Sequence, residues 1–273
     1  MKVVIPMAGL GTRFAKVADT NPEYKKPKPF ISVKGIPMVR WATGSLPFVA
    51  SNSADLKAKV LYKDLIFIVL KEHDKEHNLV QGLYDIYSND INVITLDAIT
   101  RGAAETALKA KEYVDENEEL IVTDSDHYFD GTNLETAINN RHSDTAGIIP
   151  VFVARNEGIP KWSYSLIEND SNTINQVGEK DRSLMEQGAH ANIGSYYFSK
   201  AKYFFDTVED SITHNKRTGE EGKAEFYVAP LYQELINKGH RVEAAIIPEV
   251  WGLGTPSDLE YFLERCPLEK PLH

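Results

Sequence analysis

An apolar strand that runs directly into a glycine-containing turn, close to the start of the chain, most strongly limits what this sequence can fold into. The run Val3, Val4 and Ile5 leads into Gly9 and Gly11. Glycine takes backbone angles closed to other residues and lets main-chain N–H groups approach a ligand closely. Such donors, turned inward, bind phosphate oxygens without any side-chain charge. The segment therefore predicts a phosphate-binding turn at the end of a strand.

Two cationic side chains follow this turn. Arg13 offers a planar donor fork that matches phosphate geometry. Lys28 lies between Pro27 and Pro29, which stiffen the backbone around it. Phe14 stands where a dinucleotide-binding turn has its third glycine, and no Gly-Lys-Ser/Thr step follows as in a P-loop. The pattern therefore predicts a triphosphate site that belongs to neither of those two classes.

The glycine turn, Arg13 and the Pro-Lys-Pro segment together resemble the sugar-1-phosphate nucleotidyltransferases, the nucleotide-sugar pyrophosphorylase family. The resemblance implies that the turn wraps the phosphates of a nucleoside triphosphate. It also implies that Arg13 and Lys28 are catalytic, because they neutralise charge during phosphoryl transfer. A glycine turn alone is usually only a turn, so the interpretation depends on the paired motifs. The nucleotide-binding residues of the turn are then Ala8, Gly9, Leu10, Gly11 and Thr12.

Composition narrows the class of protein. The 273 residues carry a net charge of −10, which argues against nucleic acid as a partner because phosphate-backbone binding needs concentrated positive charge. A single cysteine, Cys266, excludes an internal disulfide framework. The sequence shows neither a cationic and apolar leader nor an apolar stretch near 20 residues, so a cytoplasmic protein without membrane association is expected.

Strand and helix patterns alternate along the chain, which predicts the α/β class with a mostly parallel central sheet and helices on both faces. We expect one nucleotidyltransferase domain over residues 1–273, with a nucleotide-binding part at about 1–150 and an acceptor-binding part at about 151–273. The predicted strands cover residues 2–7, 64–70, 91–96, 119–123, 147–153, 190–198 and 242–247. The predicted helices cover residues 103–114, 200–213, 227–238 and 257–266.

Two closely spaced carboxylates follow one of the predicted strands. Asp124 and Asp126 come directly after the apolar run 119–122. Ligands of open α/β sheets bind at the carboxyl ends of strands, and paired carboxylates suit Mg²⁺. The alternative is a solvated turn. The segment also resembles the metal-binding Asp-x-Asp of nucleotide-sugar transferases, which makes Asp126 the first metal-ligand candidate and Asp124 the second.

A run of small residues begins a predicted helix at residues 100–107. Small residues at a helix start leave backbone donors accessible to a flat group such as a nucleobase. The run resembles the family's segment near the base, so Gly102 and Ala103 are nucleotide-binding candidates. Arg101 replaces the glutamine of many relatives. Close packing of the helix on the sheet remains the alternative explanation.

The acceptor half contains two weaker resemblances. Glu179 and Lys180 match a Glu-Lys segment, and Asn192 and Gly194 match an Asn-x-Gly segment, which in the family face the sugar and its phosphate. A carboxylate accepts hydrogen bonds from hydroxyl groups, and a lysine pairs with phosphate. Each of these residues alone is as easily an ordinary surface group, so the prediction depends on their order along the chain.

The stretch 251–259 resembles the family's terminal Gly-Thr-Pro segment and departs from it at one position. Many relatives carry a second metal-binding aspartate where this chain has Gly252. The second metal ligand is then Asp124, or Asp258, or phosphate and water, which Mg²⁺ accepts. Thr255 and Ser257 are candidate helix caps.

A competing motif lies at residues 73–77, where two histidines four apart fit the His-x-x-Glu-His pattern of some zinc peptidases. The solvated start of a helix explains the same residues more easily.

The sequence therefore predicts a magnesium-dependent transferase that joins a nucleoside triphosphate to a sugar 1-phosphate and releases pyrophosphate, in nucleotide-sugar and cell-surface polysaccharide biosynthesis. One alternative is a cytidylyltransferase for phosphocholine, with an aromatic wall for the cation, although core packing explains the same rings at least as well. The other is a non-catalytic nucleotide-binding relative. The base, the acceptor and the oligomeric state stay undetermined, and a homo-oligomer stays open. The aromatic residues of that wall would be Trp162, Tyr164, Tyr196 and Tyr197.

Overall fold

The computed structural model of the chain describes residues 1–51, 59–154, 158–219, 222 and 224–273. Its strands are β1 (Lys2–Pro6), β2 (Ser32–Val33), β3 (Ile36–Pro37), β4 (Val49–Ala50), β5 (Val60–Leu61), β6 (Leu65–Leu70), β7 (Asn92–Leu96), β8 (Leu120–Thr123), β9 (His127–Phe129), β10 (Thr145–Phe152), β11 (Ser163–Ile167), β12 (Ile174–Glu179), β13 (His190–Asn192), β14 (Ser195–Phe198), β15 (Arg241–Ile246) and β16 (Val250–Gly252). Its α-helices are α1 (Thr12–Ala15), α2 (Met38–Thr43), α3 (Lys71–His77), α4 (Leu79–Ile86), α5 (Ala103–Leu108), α6 (Thr132–Asn140), α7 (Arg182–Glu186), α8 (Ala201–Thr213), α9 (Ala229–Asn237) and α10 (Pro256–Arg265). Short 3₁₀ turns cover Pro22–Lys25, Lys28–Phe30, Tyr62–Asp64 and Lys111–Tyr113.

The chain forms two compact units, each built from separate stretches of sequence. The first unit comprises residues 3–99, 123–132 and 249–273. The second unit comprises residues 1–2, 100–122 and 133–248.

The first unit contains the parallel strands β1, β6 and β7, of which β6 is the most deeply buried. Strand β1 pairs in parallel with β6, and β6 pairs in parallel with β7. Every residue of β6 is buried, as a strand that is covered on both faces requires. Its continuous apolar sequence is the reason that it was recognised as a strand.

The second unit adds antiparallel pairs around a long central strand. Strand β10 pairs in parallel with β15 and antiparallel with β13 and β14, and β11 pairs antiparallel with β12 and β13. The single strand predicted over residues 190–198 is two strands, because the chain leaves the ladder at Ile193 and Gly194. The α/β class with a large central sheet is confirmed.

An aromatic core in the first unit positions the strand next to the carboxylates. Trp41 of α2 contacts Tyr128 of β9 and Phe262 of α10 edge to face, with ring centroids 5.1 and 4.9 Å apart. All three rings are buried, and such contacts stabilise beyond the burial of their area. Strand β9 also pairs with β16, where Trp251 lies opposite Tyr128. The backbone that carries Asp126 is therefore anchored from two sides.

Within the described residues, no helix combines the length and the apolar composition needed to cross a bilayer.

Candidate functional site

The glycine turn follows β1 and leads into the single-turn helix α1. Gly11 adopts φ +61°, a left-handed conformation that favours glycine. A Cβ built on Gly9 would meet nothing within 4 Å, so the space beside this backbone is open. Ala8 is buried, whereas Leu10 and Thr12 are exposed. The turn therefore presents its main chain in the way that a phosphate-binding turn requires.

Lys28 joins this turn to the carboxylates. A Cβ on Gly11 would lie 3.6 Å from the Lys28 Cβ. The Lys28 Nζ donates a hydrogen bond of 2.7 Å to Oδ2 of Asp126, and both side chains are partly buried. The lysine lies in the 3₁₀ turn Lys28–Phe30, whose neighbouring Pro27 and Pro29 restrict its backbone. The structure thus brings together the glycine turn, the lysine and the aspartate that the sequence singled out separately.

Charges around Asp126 keep it ionised. Burial raises its pKa, but the Lys28 ammonium, with a smaller contribution from Arg13, outweighs burial and holds the pKa below its usual value. The Arg13 guanidinium is exposed and makes no hydrogen bond or ion pair with a described residue. Arg13 is therefore available for an incoming anion close to Asp126.

Asp124, Asp126 and His127 form a cluster whose side chains could together hold a metal ion. Atoms of the three side chains lie within 4.8 Å of one another. Ser125, between the two aspartates, is buried, whereas both aspartates are partly exposed in the bend that joins β8 to β9. A Cβ on Gly254 would lie 2.6 Å from Oδ2 of Asp126, so glycine at 254 leaves the room that this carboxylate occupies. Two carboxylates with such room fit Mg²⁺, which prefers oxygen ligands.

His127 is neutral in this cluster. Burial lowers its pKa to about 4, against an ordinary value of 6.5, and this outweighs the opposing effect of Asp126. A neutral imidazole adds no positive charge beside the Asp124 and Asp126 carboxylates.

The buried histidine predicts a loss of stability in acid. Between pH 6.5 and about 4 the unfolded chain binds a proton at His127 that the folded chain does not, so the free energy of unfolding should fall as pH is lowered through this window. Urea denaturation at several pH values measures it. His127→Gln should flatten this fall, whereas His214→Gln, at an exposed histidine, should leave it unchanged. An identical slope in His127→Gln and the unmodified protein would contradict the assignment.

Gly252 lies beside Asp258. A Cβ on Gly252 would lie 3.7 Å from Oδ2 of Asp258. The same carboxylate accepts a hydrogen bond of 2.6 Å from Thr255 Oγ1, which in turn accepts one from the Asp258 N–H. Thr255 is the cap of α10, so Asp258 already has a structural role in this capping arrangement.

The segment at residues 100–107 packs against the backbone of Phe226. Gly102 has φ +146°, and a Cβ there would lie 2.5 Å from the Phe226 N. The Phe226 N–H donates to the Arg101 carbonyl, and the Ala104 N–H donates to the Phe226 carbonyl, each at 2.9 Å. Glycine is therefore required at 102 by this packing, and the contact of Gly102 and Ala103 with a nucleotide stays a prediction.

Arg101 is held in place on this segment. Its guanidinium donates to both oxygens of Glu105, with the shortest contact at 2.6 Å, and lies 5.1 Å from the centre of the Phe226 ring. Such a clamp fixes the orientation of the arginine.

Glu179 and Lys180 form a second cluster, in the second unit. The Glu179 side chain is buried and accepts a hydrogen bond from Ser163, and burial raises the pKa of Glu179. Lys180 adopts φ +51°, rare for lysine. Its ammonium lies 5.1 Å from the centre of the Tyr227 ring and 3.7 Å from the Glu179 carboxylate. An uncommon backbone conformation at a paired cation is typical of a functional position.

Asn192 leaves a buried donor without a partner. Its Oδ1 accepts from Ser165 Oγ at 2.7 Å, but its Nδ2 finds no hydrogen-bond acceptor in the described part of the chain. An unpaired buried N–H group costs free energy, so a ligand acceptor is its natural partner. Gly194 lies at the break between β13 and β14, two residues further on.

The nucleotidyl transferase family model matches residues 34–261. The chain belongs to this family. The matched segment begins after the glycine turn, Arg13 and Lys28. The motifs at those residues therefore support the family assignment independently of the match. No protein among the curated sequences matches this nucleotidyl transferase.

Solved structures of similar fold span almost the whole transferase. A nucleoside-diphosphate-sugar pyrophosphorylase from Vibrio cholerae is 24% identical with a TM-score of 0.72, over 96% of this chain and 100% of that one. A putative glucose-1-phosphate thymidylyltransferase from Bacillus anthracis is 16% identical with a TM-score of 0.70, over 97% and 94% of the two chains. The inositol-1-phosphate CTP transferase from T. maritima is 16% identical with a TM-score of 0.67, over 97% and 96%. At these identities the likeness establishes the fold.

The histidine motif at residues 73–77 of the transferase forms most of the short polar helix α3. His73 and His77 belong to no metal-ligand cluster within the described ranges. Burial lowers the pKa of His73. The helix interpretation explains these residues.

The proposed aromatic wall consists largely of core side chains. Tyr164 is buried beside Leu184, and Tyr197 is fully buried, with its hydroxyl donating to Glu119 at 2.7 Å. Tyr196 is buried as well. Core packing therefore accounts for three of the four rings.

Sequence reasoning missed four residues beside the transferase's candidate site. His127 directly follows Asp126, and Gly254 lies in the Gly-Thr-Pro stretch, so both were within reach of the motifs. Ser163 and Tyr227 contact Glu179 and Lys180 from distant points in the chain. No local sequence pattern signals such contacts.

Proposed function

We propose that this transferase moves a nucleotidyl group from a nucleoside triphosphate to a sugar 1-phosphate, with Mg²⁺, releasing pyrophosphate and forming a nucleotide sugar. The observation that carries the proposal is the 2.7 Å pair of Lys28 and Asp126 beside the glycine turn. In this arrangement the backbone proposed to bind phosphate, the Lys28 cation and the carboxylate proposed to bind the metal all lie in the first unit. The domain division proposed with it places the nucleotide-binding part at about residues 1–150 and the acceptor-binding part at about 151–273.

The chemistry is an in-line displacement at the α-phosphorus. An oxygen of the acceptor phosphate forms the new bond to phosphorus, and the bond to the pyrophosphate oxygen breaks. Because a phosphate attacks as an anion, no general base is needed. The N–H groups around Gly9 and Gly11 would orient the phosphates, and Arg13 and Lys28 would stabilise the negative charge of the transition state.

Asp126 and Asp124 would hold Mg²⁺, which supplies further neutralisation of phosphate charge when bound. The role of the protein at this point is to keep the Asp126 carboxylate ionised. Lys28 does so by holding the pKa of Asp126 low.

The second cluster favours a hydroxylated acceptor. The buried Glu179 carboxylate accepts hydrogen bonds, and the unpaired Nδ2 of Asn192 donates one. A sugar supplies both hydroxyl donors and hydroxyl acceptors. A quaternary ammonium would have to compete with Lys180 for the Tyr227 ring, so phosphocholine fits less well. The nucleoside-diphosphate-sugar pyrophosphorylase and the glucose-1-phosphate thymidylyltransferase among the similar structures also favour a sugar phosphate.

A substrate panel tests the proposal. The purified protein is incubated with Mg²⁺ and each of CTP, UTP, GTP, ATP and dTTP, against sugar 1-phosphates, inositol 1-phosphate and phosphocholine, and pyrophosphate release is measured. Release with a sugar 1-phosphate supports the proposal and names the base. Release with phosphocholine alone favours the cytidylyltransferase, and nucleotide binding without release favours the non-catalytic relative.

Asp126→Asn should weaken the dependence on Mg²⁺. The amide loses the charge that attracts the cation and that pairs with Lys28, so half-maximal activity should require about tenfold more Mg²⁺ or worse. A magnesium titration of initial rates measures it. Asp130→Asn is the matched control, since Asp130 is exposed and bonds only to Thr132 and His273. An unaltered titration in Asp126→Asn would instead favour a structural turn.

A further inference from the structure

A cavity of about 460 Å³ in the second unit shares no lining residue with the candidate site. It lies among α6, β15 and the loop at residues 171–172. Its volume falls within the usual range of small-molecule sites. The side chains that matter for its chemistry are Asn140, His142, Asn172, Arg241 and Glu243.

An ion pair between the buried Glu243 and the partly exposed Arg241 forms the charged part of this cavity. Glu243 is 7% exposed, and its Oε1 accepts hydrogen bonds from Thr145 Oγ1 at 2.9 Å and from the Arg241 Nε at 2.7 Å. Its Oε2 accepts no hydrogen bond within the described part of the chain. The two Nη groups of Arg241 are likewise unpaired among the described residues. This carboxylate oxygen and the two Nη groups can therefore exchange hydrogen bonds with a ligand that enters the cavity.

The charges of this cavity select against anions. Arg241 and Glu243 neutralise each other, so an incoming phosphate would gain little net attraction and would face the unpaired Oε2. A neutral ligand meets no such repulsion. The ligand must offer a donor to Glu243 and an acceptor to Arg241, which a hydroxyl group can do alone.

The remaining lining points to a saccharide and away from a nucleobase. Among the described residues, the only ring that lines the cavity is the exposed imidazole of His142, so a base would find no phenylalanine, tyrosine or tryptophan on which to stack. Asn140, Asn172 and His142 add further donors and acceptors, while Ala137, Ala244 and Ile246 supply apolar surface for C–H groups. Hydroxyl groups on one side and C–H groups on the other are what a pyranose presents.

We infer that this cavity is a second binding site, which takes a neutral monosaccharide through the Arg241–Glu243 pair. The inference does not depend on the proposed function, because the cavity and the candidate site are lined by different residues.

Calorimetric titration of the full chain with D-glucose, D-galactose and D-mannose, and separately with inorganic phosphate, tests the inference. At least one neutral sugar should bind, and it should bind more tightly than phosphate. Ala137→Trp, which fills the cavity, should lower the affinity for that sugar by about tenfold or more. No binding by any of the three sugars, or tighter binding of phosphate, would overturn the inference.

Two further variants locate the binding and guard against misfolding. Asn140→Ala removes an exposed amide that has no hydrogen-bond partner in the described part of the chain, so the variant should remain folded. Its affinity for the sugar should nevertheless fall severalfold. Glu179→Ala alters the candidate acceptor site and should leave this binding unchanged. Sugar affinity that is lost in Glu179→Ala but kept in both Ala137→Trp and Asn140→Ala would place the sugar elsewhere and refute the cavity.

Discussion

Lys28→Ala is expected to lower the turnover number by about two to three orders of magnitude, the usual cost of removing one group that stabilises a transition-state charge. Lys28 is the cation that the structure holds between the glycine turn and Asp126. Its removal takes away a charge opposite the phosphates and leaves Asp126 without its ion pair. Initial rates of pyrophosphate release, with the best substrates of the panel, measure the change.

Lys26→Ala is the matched control for this variant. Lys26 lies two residues away on the same loop, but its ammonium pairs with Glu23. Exposed pairs of this kind contribute little, so its turnover should stay within about twofold of the unmodified protein. Far-ultraviolet circular dichroism should show both variants folded. A folded Lys28→Ala protein with unchanged turnover would remove Lys28 from the mechanism.

Gly102→Ala is expected to destabilise the fold by about 3 kcal/mol or more, through combined backbone strain and overpacking. The new Cβ would lie 2.5 Å from the Phe226 N and 2.6 Å from the Phe226 carbonyl oxygen, and φ at 102 is +146°. The colliding atoms are backbone, which cannot turn aside as a flexible side chain can. Chemical denaturation gives the free energy of unfolding of the variant.

Gly9→Ala distinguishes a glycine that leaves space for a ligand from one, such as Gly102, that close packing requires. A Cβ at position 9 would meet nothing within 4 Å, so the free energy of unfolding should change by less than about 1 kcal/mol. Nucleotide affinity should nevertheless fall, because the methyl group enters the space in which phosphates would approach the main chain. If the free energy of unfolding of Gly102→Ala equalled that of Gly9→Ala, the close packing of residue 102 against the Phe226 backbone would be contradicted.

The parts of the fold that sequence could predict are those with strong local patterns. Strands β1, β6 and β10 are continuous apolar runs, and helix α8 has a regular apolar stripe. The helix predicted over residues 103–114 ends at Leu108, followed by a 3₁₀ turn. Short strands such as β9 and β16 were missed, because three residues carry no periodicity and are stabilised by pairing between distant segments.

The residues of the candidate site likewise fall into those that a sequence motif identifies and those that only the fold reveals. The glycine turn, Lys28 and Asp126 could be named because each has a motif. Lys28 and Asp126 are 98 positions apart in the sequence, so only the fold could show their 2.7 Å contact. Tyr227 had no motif, although its ring faces the Lys180 ammonium. The buried donor of Asn192 is a property of three-dimensional packing, and no sequence pattern encodes which of its atoms lacks a partner.

The left-handed backbone at Lys180 implies that the stability of the fold and the placement of the ammonium group favour different residues at this position. Glycine would occupy that conformation without strain, whereas a residue with a Cβ bears a penalty of about 1 kcal/mol or more. Yet glycine has no ammonium to place between Glu179 and Tyr227. A screen for heat resistance alone would therefore tend to replace Lys180, while selection for turnover on a phosphorylated sugar would tend to restore it.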